Sequence, residues 1–422
     1  MSEQRQRVAV VGLGYVGLPL VREVIRAGHF CIGYDTSRIV RAGLESGTSH
    51  VDDVADEEVK QMLREGLTVS GDGSALADAD VIVICVPTPL SPDGGPDLTA
   101  VEDAARTIAR AMRPGQLIVL ESTTYPGTTE EVLIPLLEAG GLRAGIDFNC
   151  AFSPERIDPG NTAFGLSNTP KVIGGLTDAC TRRAVEFYGQ FIDEIVTARG
   201  PREAEMTKLL ENTYRHVNIA LVNEMAQFCH ELDIDLWDAI RCASTKPFGF
   251  QAFFPGPGVG GHCIPIDPNY LSHRVRTHLG HPFRFVELAQ EINAGMPAYV
   301  ARRAQDLLNE ESKPVRGSRV ALLGVTYKPD IADQRESPAV DLAQALINLG
   351  AIVGFHDPFV REWTVQGVPV RRYPSIESAL EEPDIVILVQ AHSAYDRDAL
   401  GRSGALLLDT RGVLAGPTVH TL

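Results

Sequence analysis

The sequence predicts an α/β protein in which two doubly wound parallel sheets are joined by a central helical domain. Three observations carry that reading. Short apolar runs alternate with helical patterns over the first 200 residues, the signature of parallel strands with crossover helices. From Arg202 to about Ile240 apolar residues recur at three- and four-residue spacing, among them Met206, Leu209, Leu210, Val217 and Leu221. From residue 317 a second strand–helix series begins and echoes the first.

The opening segment, "RVAVVGLGYVGLPLVREVIRAGHFCIGYD", reads as strand, glycine turn, helix, strand. Val8 to Val11 form the apolar strand. Gly12, Gly14 and Gly17 have the GxGxxG spacing, and Asp35 closes the second strand eighteen positions beyond the last glycine. In that context the glycines are a dinucleotide-binding fingerprint. The first permits a tight turn, the second lets backbone approach a pyrophosphate, and the third allows close helix packing. Amides at the helix N-terminus then hold the phosphates. Asp35 would bond the adenosine ribose and repel a 2′-phosphate, so NAD is expected over NADP, with Arg38 lying over the adenine.

Further strands are expected in "DVIVICV" near 80–86, "LIVLES" near 117–122 and "FIDEIVT" near 191–197. The middle of the chain is helical, with another such run from Phe285 to about Leu308, and long helices of this kind often pair across a dimer interface. After the polar stretch "NEESKPVRG", "GSRVALLGVTYKPD" restarts a strand, followed by "AIVGFHD", "DIVILVQ" and "ALLLDTR". "ADVIVICVPTP" resembles "EPDIVILVQAH", and "QLIVLESTT" resembles "ALLLDTRG". The expected fold is therefore two Rossmann-like doubly wound domains, the second without the glycine fingerprint. The expected boundaries are 1–200 for NAD binding, 201–310 for the helical domain with catalytic residues and a dimer interface, and 311–422 for the C-terminal domain.

Composition narrows the function. The chain of 422 residues is 44% hydrophobic and 22% charged, ordinary for a globular protein. It has no run of about 18 apolar residues, so no transmembrane helix is expected, and its N-terminus lacks the apolar core of a signal peptide. The net charge of −17 argues against nucleic acid, which is held by clustered Lys and Arg. Seven scattered cysteines without a CxxC pair argue against a zinc site or a disulfide scaffold and fit a reducing cytoplasm. No metal is expected.

"GPGVGGHCIPIDPNYL", residues 256–271, reads as a rigid loop presenting a thiol, Cys263, with a carboxylate, Asp267, four residues on. In a dehydrogenase, a thiol suggests covalent aldehyde chemistry: a thiohemiacetal can be oxidised to a thioester, which a carboxylate-activated water then hydrolyses. Each oxyanion on that path needs a donor. Lys208, Asn212 and Arg215, at spacings of four and three on one helix face, are candidates.

At these residues the chain resembles the nucleotide-sugar 6-dehydrogenases, the family of UDP-glucose and GDP-mannose dehydrogenases. The resemblance spans nearly the whole chain and rests on "GLGYVGLPL", "ESTTYPGTT", "SPERIDPGN", "EMTKLLENTYRHVNIALVNE", "GPGVGGHCIPIDP" and "LGVTYKPDIADQRESPA". It implies a four-electron oxidation using two NAD, with Cys263 as nucleophile and Asp267 as the partner for water activation. Lys208 and Asn212 would stabilise the oxyanions, Thr123 would position water or cofactor, and Glu155 would sit beside the reacting centre. With Gly12, Gly14, Val16, Gly17, Asp35 and Arg38, the positions Thr88, Thr123 and Arg335 match NAD-binding ones. Tyr327, Lys328 and Arg411 match positions that hold the nucleotide sugar. Arg215, Lys246 and Gly260 join Lys208 and Asn212 on the substrate side.

One departure bears on the sugar. Pro159 stands where UDP-glucose dehydrogenases usually carry a second glutamate after "SPE". The segment is closer to the branch that oxidises UDP-N-acetylhexosamines, with Arg156 and Ile157 at substrate-binding positions and UDP-N-acetylglucosamine as first candidate. Phe248 replaces a second basic group expected near Lys246 in some members. The alternatives are a UDP-glucose or dTDP-glucose 6-dehydrogenase, a two-electron 3-hydroxyacid dehydrogenase, and a silent NAD-binding module. The expected partners are a nucleotide sugar and a second copy of the chain.

Overall fold

The computed structural model describes residues 5–422 apart from 52, 92–93, 158–162, 262–263 and 265. Two compact units divide the chain: Met1–Glu211 with Asn269–Leu279, and Asn212–Pro268 with Gly280–Leu422.

The first unit is built on an eight-stranded sheet. In chain order its elements are β1 (Arg7–Val11), α1 (Gly17–Arg26), β2 (Phe30–Tyr34), α2 (Arg38–Glu45), α3 (Asp56–Glu65), β3 (Leu67–Ser70), β4 (Val81–Ile84), α4 (Thr99–Ala111), β5 (Leu117–Leu120), α5 (Ile134–Glu138), β6 (Asn149–Phe152), β7 (Lys171–Gly175), α6 (Asp178–Tyr188) and β8 (Ile195–Thr197). The strand order is β3-β2-β1-β4-β5-β6-β7-β8, parallel except where β7 meets β6. Order reverses between β1 and β4, the switch point beside which doubly wound sheets bind ligands. β4 and β5 are buried throughout, as a sheet covered on both faces requires. One apolar layer, with Leu18, Val21, Val24 and Phe187, covers one face; another, with Val101, Ile108, Leu133 and Phe148, covers the other.

The helical segment contains α7 (Pro201–Glu231), α8 (Leu236–Ala243), α9 (Asp267–Leu279) and α10 (Arg284–Glu310). The helical stretch expected from Arg202 to about Ile240 is made of two helices, α7 and α8. The chain takes a left-handed turn at Asp233 (φ 56°), and Asp235 caps α8 by accepting from the Asp238 amide at 3.0 Å. Along α7 the apolar periodicity is also divided: Leu209 is buried, whereas Leu210 and Leu221 are exposed.

The second unit carries β9 (Arg319–Leu323), α11 (Pro338–Asn348), β10 (Ile352–His356), the two-residue strands β11 (Thr364–Val365), β12 (Val368–Pro369) and β13 (Arg371–Arg372), α12 (Ile376–Glu381), β14 (Ile385–Leu388), α13 (Arg397–Arg402), β15 (Leu407–Asp409) and β16 (Val419–Thr421). β13-β10-β9-β14-β15-β16 is an all-parallel sheet. β9, β10 and β14 hold the places that β1, β2 and β4 hold in the first sheet, so the echo between the two halves is topological.

The second sheet retains more of the glycine turn than its sequence suggests. Gly324 (φ +76°) follows β9 as Gly12 (φ +92°) follows β1. A Cβ on Gly12 would lie 2.7 Å from the Cys85 carbonyl oxygen, and one on Gly324 would lie 2.5 Å from that of Gln390. Asp35 accepts from the Leu13 amide at 3.0 Å, and Asp357 accepts from the Val325 amide at 2.8 Å. What the second copy lacks is the second and third glycines.

Candidate functional site

In the first unit the ends of β1 and β4 flank the switch point of the sheet, the place where doubly wound folds bind dinucleotides. Gly14 has no atom within 4 Å of where a Cβ would stand, so its backbone face is open. Gly17 is tightly enclosed, because its Cβ would lie 1.9 Å from the Gly12 carbonyl oxygen; this is what lets α1 start against the turn. Leu18 N donates to Gly14 O, so the amides from Tyr15 to Gly17 precede the first helical donor and lie at the positive end of α1. Val16 is the N-cap. Asp35 is half-buried, with Oδ2 held by the Leu13 amide and Oδ1 by the Ser37 amide at 2.8 Å. Its remaining lone pairs are available to a ribose diol. Arg38 opens α2 and is exposed, and it is Arg41 that binds the Asp35 main chain, donating to its carbonyl at 2.5 Å. Thr88 Oγ1 donates to Thr123 O at 2.8 Å, tying the loop after β4 to the loop after β5, and Ser122 Oγ reinforces that tie by donating to Val86 O at 2.7 Å.

These contacts yield a first expected result. The expected preference is for NAD over NADP, by at least about tenfold in kcat/KM or about 1.4 kcal/mol. Asp35→Asn, which keeps an acceptor for the Leu13 amide, narrows the gap. Equal efficiencies of the unmodified protein with both cofactors would remove Asp35 from this role.

One face of α7 carries Glu205, Lys208 and Asn212, spaced three and four residues apart. Lys208 is buried, and its Nζ lies 3.5 Å from Glu155 Oε2. The other oxygen of Glu155 accepts from the Ile157 amide, so this carboxylate is fixed between backbone and lysine. Ile157 itself packs on the apolar core of the sheet. Arg156 turns to Glu211 (2.6 Å) and to the Pro170 carbonyl. One turn further along α7, Asn212 Nδ2 donates to Asp267 Oδ2 at 2.5 Å. Asp267 is buried and is the first residue of α9 rather than part of the preceding loop, so it sits where a helix N-terminus favours negative charge. Arg215 is exposed and does not share the burial of Lys208.

In the second unit the glycine loop meets the segment after β9. A Cβ on Gly260 would lie 2.8 Å from Tyr327 Cβ, and one on Gly261 would lie 2.9 Å from the Tyr327 ring. Tyr327 therefore stands directly against the loop that leads to Cys263. Cys263 and Pro159 lie outside the described residues. Lys328 is half-buried and accepts from Thr326 Oγ1 through its carbonyl. Arg411 Nε donates to Val389 O at 2.7 Å, and burial lowers its pKa to about 10, which leaves it charged at neutral pH. Lys246 is exposed and lies 5.1 Å from the Phe248 ring centroid. Arg335 forks onto Asp333, with contacts of 2.6 to 3.1 Å.

Sequence reasoning passes over two buried groups in the first unit. Glu205 accepts from the Gly127 amide and from both the amide and hydroxyl of Thr129, which anchors "YPGTT" to α7. Burial outweighs these donors and raises its pKa to about 7. Behind Thr123, Glu121 is buried with Lys171 at 3.1 Å and accepts from Tyr188 OH. The acid in "EMTK" and the first letter of "ESTT" were the available signals.

Comparison with known proteins follows this geometry along the chain. The UDP-glucose/GDP-mannose dehydrogenase family matches in three parts: its NAD binding domain over residues 6–192, its central domain over 202–295 and its UDP binding domain over 321–416. A UDP-N-acetyl-D-mannosamine dehydrogenase of Pyrococcus horikoshii is 34% identical, covering 98% of this chain and 97% of its own. A UDP-N-acetyl-D-glucosamine 6-dehydrogenase of Pseudomonas aeruginosa is 35% identical, covering 92% and 88%. The solved structure of a UDP-D-ManNAc dehydrogenase from Pyrococcus horikoshii superposes with a TM-score of 0.89 at 34% identity, covering 98% of each chain.

Proposed function

Because the chain belongs to the UDP-glucose/GDP-mannose dehydrogenase family of NAD-dependent nucleotide-sugar dehydrogenases, we propose that it oxidises the 6-hydroxymethyl group of a UDP-N-acetylhexosamine to the uronic acid through a thioester on Cys263. The observation that supports this reading is the pairing of each α7 residue within its own unit: Lys208 with Glu155 in the first and Asn212 with Asp267 in the second. Relatives named for UDP-N-acetylmannosamine and UDP-N-acetylglucosamine are about equally similar to the chain, which supports the N-acetylhexosamine class.

NAD, held by the glycine turn and Asp35, is the two-electron acceptor when bound. The chain's own groups do the rest. Cys263 adds to the aldehyde carbon, and the Lys208 ammonium and Asn212 amide stabilise the oxygen that becomes negative. Glu155 fixes the position of Lys208. After the second oxidation the same sulfur carries the acyl group. Asp267, oriented by Asn212, takes a proton from water as it attacks the thioester; the carbon–sulfur bond breaks and thiolate leaves. Tyr327, Lys328 and Arg411 hold the nucleotide part, with Arg411 as the permanent cation.

The second copy of the chain belongs to the same reading. Leu210, Tyr214, Leu221 and Phe228 on α7 are between 47% and 59% exposed, an apolar stripe that pairing of two α7 helices in a homodimer would cover.

NADH production across UDP-GlcNAc, UDP-ManNAc, UDP-GalNAc, UDP-glucose, dTDP-glucose and GDP-mannose tests the substrate. An N-acetylated UDP-hexosamine should lead in kcat/KM by at least about tenfold. UDP-glucose or dTDP-glucose turning over about a hundredfold faster would overturn the sugar while leaving the chemistry intact.

A further inference from the structure

The second unit contains a buried polar cluster that the reaction above does not use. His392 and Asp357 are both fully buried. The Asp330 amide donates to His392 Nδ1 at 2.9 Å. A backbone N–H only donates, so Nδ1 carries a lone pair and the ring proton is on Nε2. Nε2 faces Asp357 Oδ2 at 3.1 Å, and the same carboxylate accepts from the Val325, Phe359 and Val360 amides. His392 is thereby a bridge from the end of β10 to the segment after β9.

That bridge holds a left-handed point. Asp330 has φ 63°, a conformation few residues other than glycine, asparagine and aspartate adopt. Besides the His392 bond, its Oδ1 accepts from the Ser393 amide at 2.7 Å and from Ser393 Oγ at 3.0 Å. Between the strand end and this pinned residue lies Tyr327, with its amide bonded to the Asp333 carbonyl at 3.3 Å and its ring against Gly261. Gly261 itself is left-handed (φ +88°), so neither side of that contact has room for change.

We propose that His392, with Asp357 and Ser393, is a positioning residue for the thiol-bearing loop: the 392–393 turn pins Asp330, and Asp330 sets Tyr327 against Gly260 and Gly261, two residues before Cys263. The proposal rests on the reading of Cys263 as the nucleophile. It assigns catalytic consequence to a histidine that touches neither cofactor nor sugar.

Three variants of the full-length protein test it. His392→Leu removes both bonds, His392→Asn keeps an acceptor where Nδ1 stood, and Ser393→Ala removes one exposed hydroxyl. Readouts are kcat, KM for NAD and for the UDP-sugar, and the alkylation rate of Cys263 by iodoacetamide, followed by peptide mass spectrometry with the exposed Cys242 as internal reference. For His392→Leu, kcat falls about tenfold or more, KM for NAD stays within about twofold, and the Cys263-to-Cys242 alkylation ratio changes about fivefold. His392→Asn recovers at least about a third of the unmodified kcat, and Ser393→Ala lowers kcat about two- to fivefold. A folded His392→Leu with unchanged kcat and alkylation ratio overturns the proposal. So does an Asn variant as impaired as Leu, or an effect confined to KM for the UDP-sugar. If His392→Leu does not fold, an unchanged Ser393→Ala does the same. Continued acid formation by Cys263→Ala in the His392 background would instead sink the underlying reading.

Discussion

Cys263→Ala abolishes uronic acid formation, by at least about 10⁴-fold or about 5.5 kcal/mol, while NAD and UDP-sugar still bind. The size follows from what the thiol supplies. Without a nucleophile on the aldehyde carbon there is no thiohemiacetal to oxidise, so the second oxidation loses its route rather than a single stabilising contact. Binding survives because it is assigned to other residues: the glycine turn and Asp35 for NAD, and Tyr327, Lys328 and Arg411 for the nucleotide. Cys263→Ser attacks poorly and, once acylated, releases product slowly, which intact mass would register as an adduct at position 263. The unmodified enzyme yields close to two NADH per sugar consumed. A ratio of one, or acid formation by Cys263→Ala at the original rate, would reduce this cysteine to packing.

Lys208→Ala lowers kcat by about 10³-fold, about 4 kcal/mol, with KM for NAD little changed. Two losses combine. The oxyanion loses its cationic partner, a type of loss worth about 10²- to 10³-fold by itself. Glu155, only 12% exposed in its side chain, also loses its only ion-pair partner among the described residues, and a carboxylate left unpaired there opposes a developing negative charge. Lys208→Arg does not restore the rate, because a planar fork cannot occupy the place of a compact ammonium. Glu155→Gln in the Lys208→Ala background recovers part of the loss. Steady-state NADH formation measures each variant, and a Lys208→Ala enzyme within tenfold of the original kcat would exclude the lysine from oxyanion stabilisation.

Legibility in the sequence tracks local physics. β1, β2, β4 and β5 are apolar runs of four or five residues, and such runs announce themselves. β7, "KVIGG", does not, because its glycines read as a turn. In the fold they serve close packing: a Cβ on Gly174 would lie 2.1 Å from Gly200 O, and one on Gly175 would lie 2.3 Å from Thr181 N. β3 and β13 are short, partly exposed edge strands, where little burial is left to shape the sequence. At the site, the spacing of Lys208 and Asn212 reveals their shared face, but nothing local reveals that Glu205 is buried, since its partners are amides and a hydroxyl some 76 residues away. Asp267 reads as part of a loop because glycines and prolines precede it, yet it starts a helix, a place that tolerates a proline immediately after it. His392 gives no signal at all; its partners, Asp330 and Asp357, come from two separate segments more than 30 residues away.

Asp35 and Asp357 make the same bond to the amide that follows the first glycine, though one is half-buried and the other is sealed by an imidazole. If the two sheets descend from one ancestral module, the shared bond is older than either present use. The acid's original task would then have been to brace the turn, with ribose recognition a later gain in one copy and the His392 seal a later gain in the other. Asp35→Ala and Asp35→Asn would in that case report different histories: alanine removes the brace and the ligand together, whereas asparagine separates them.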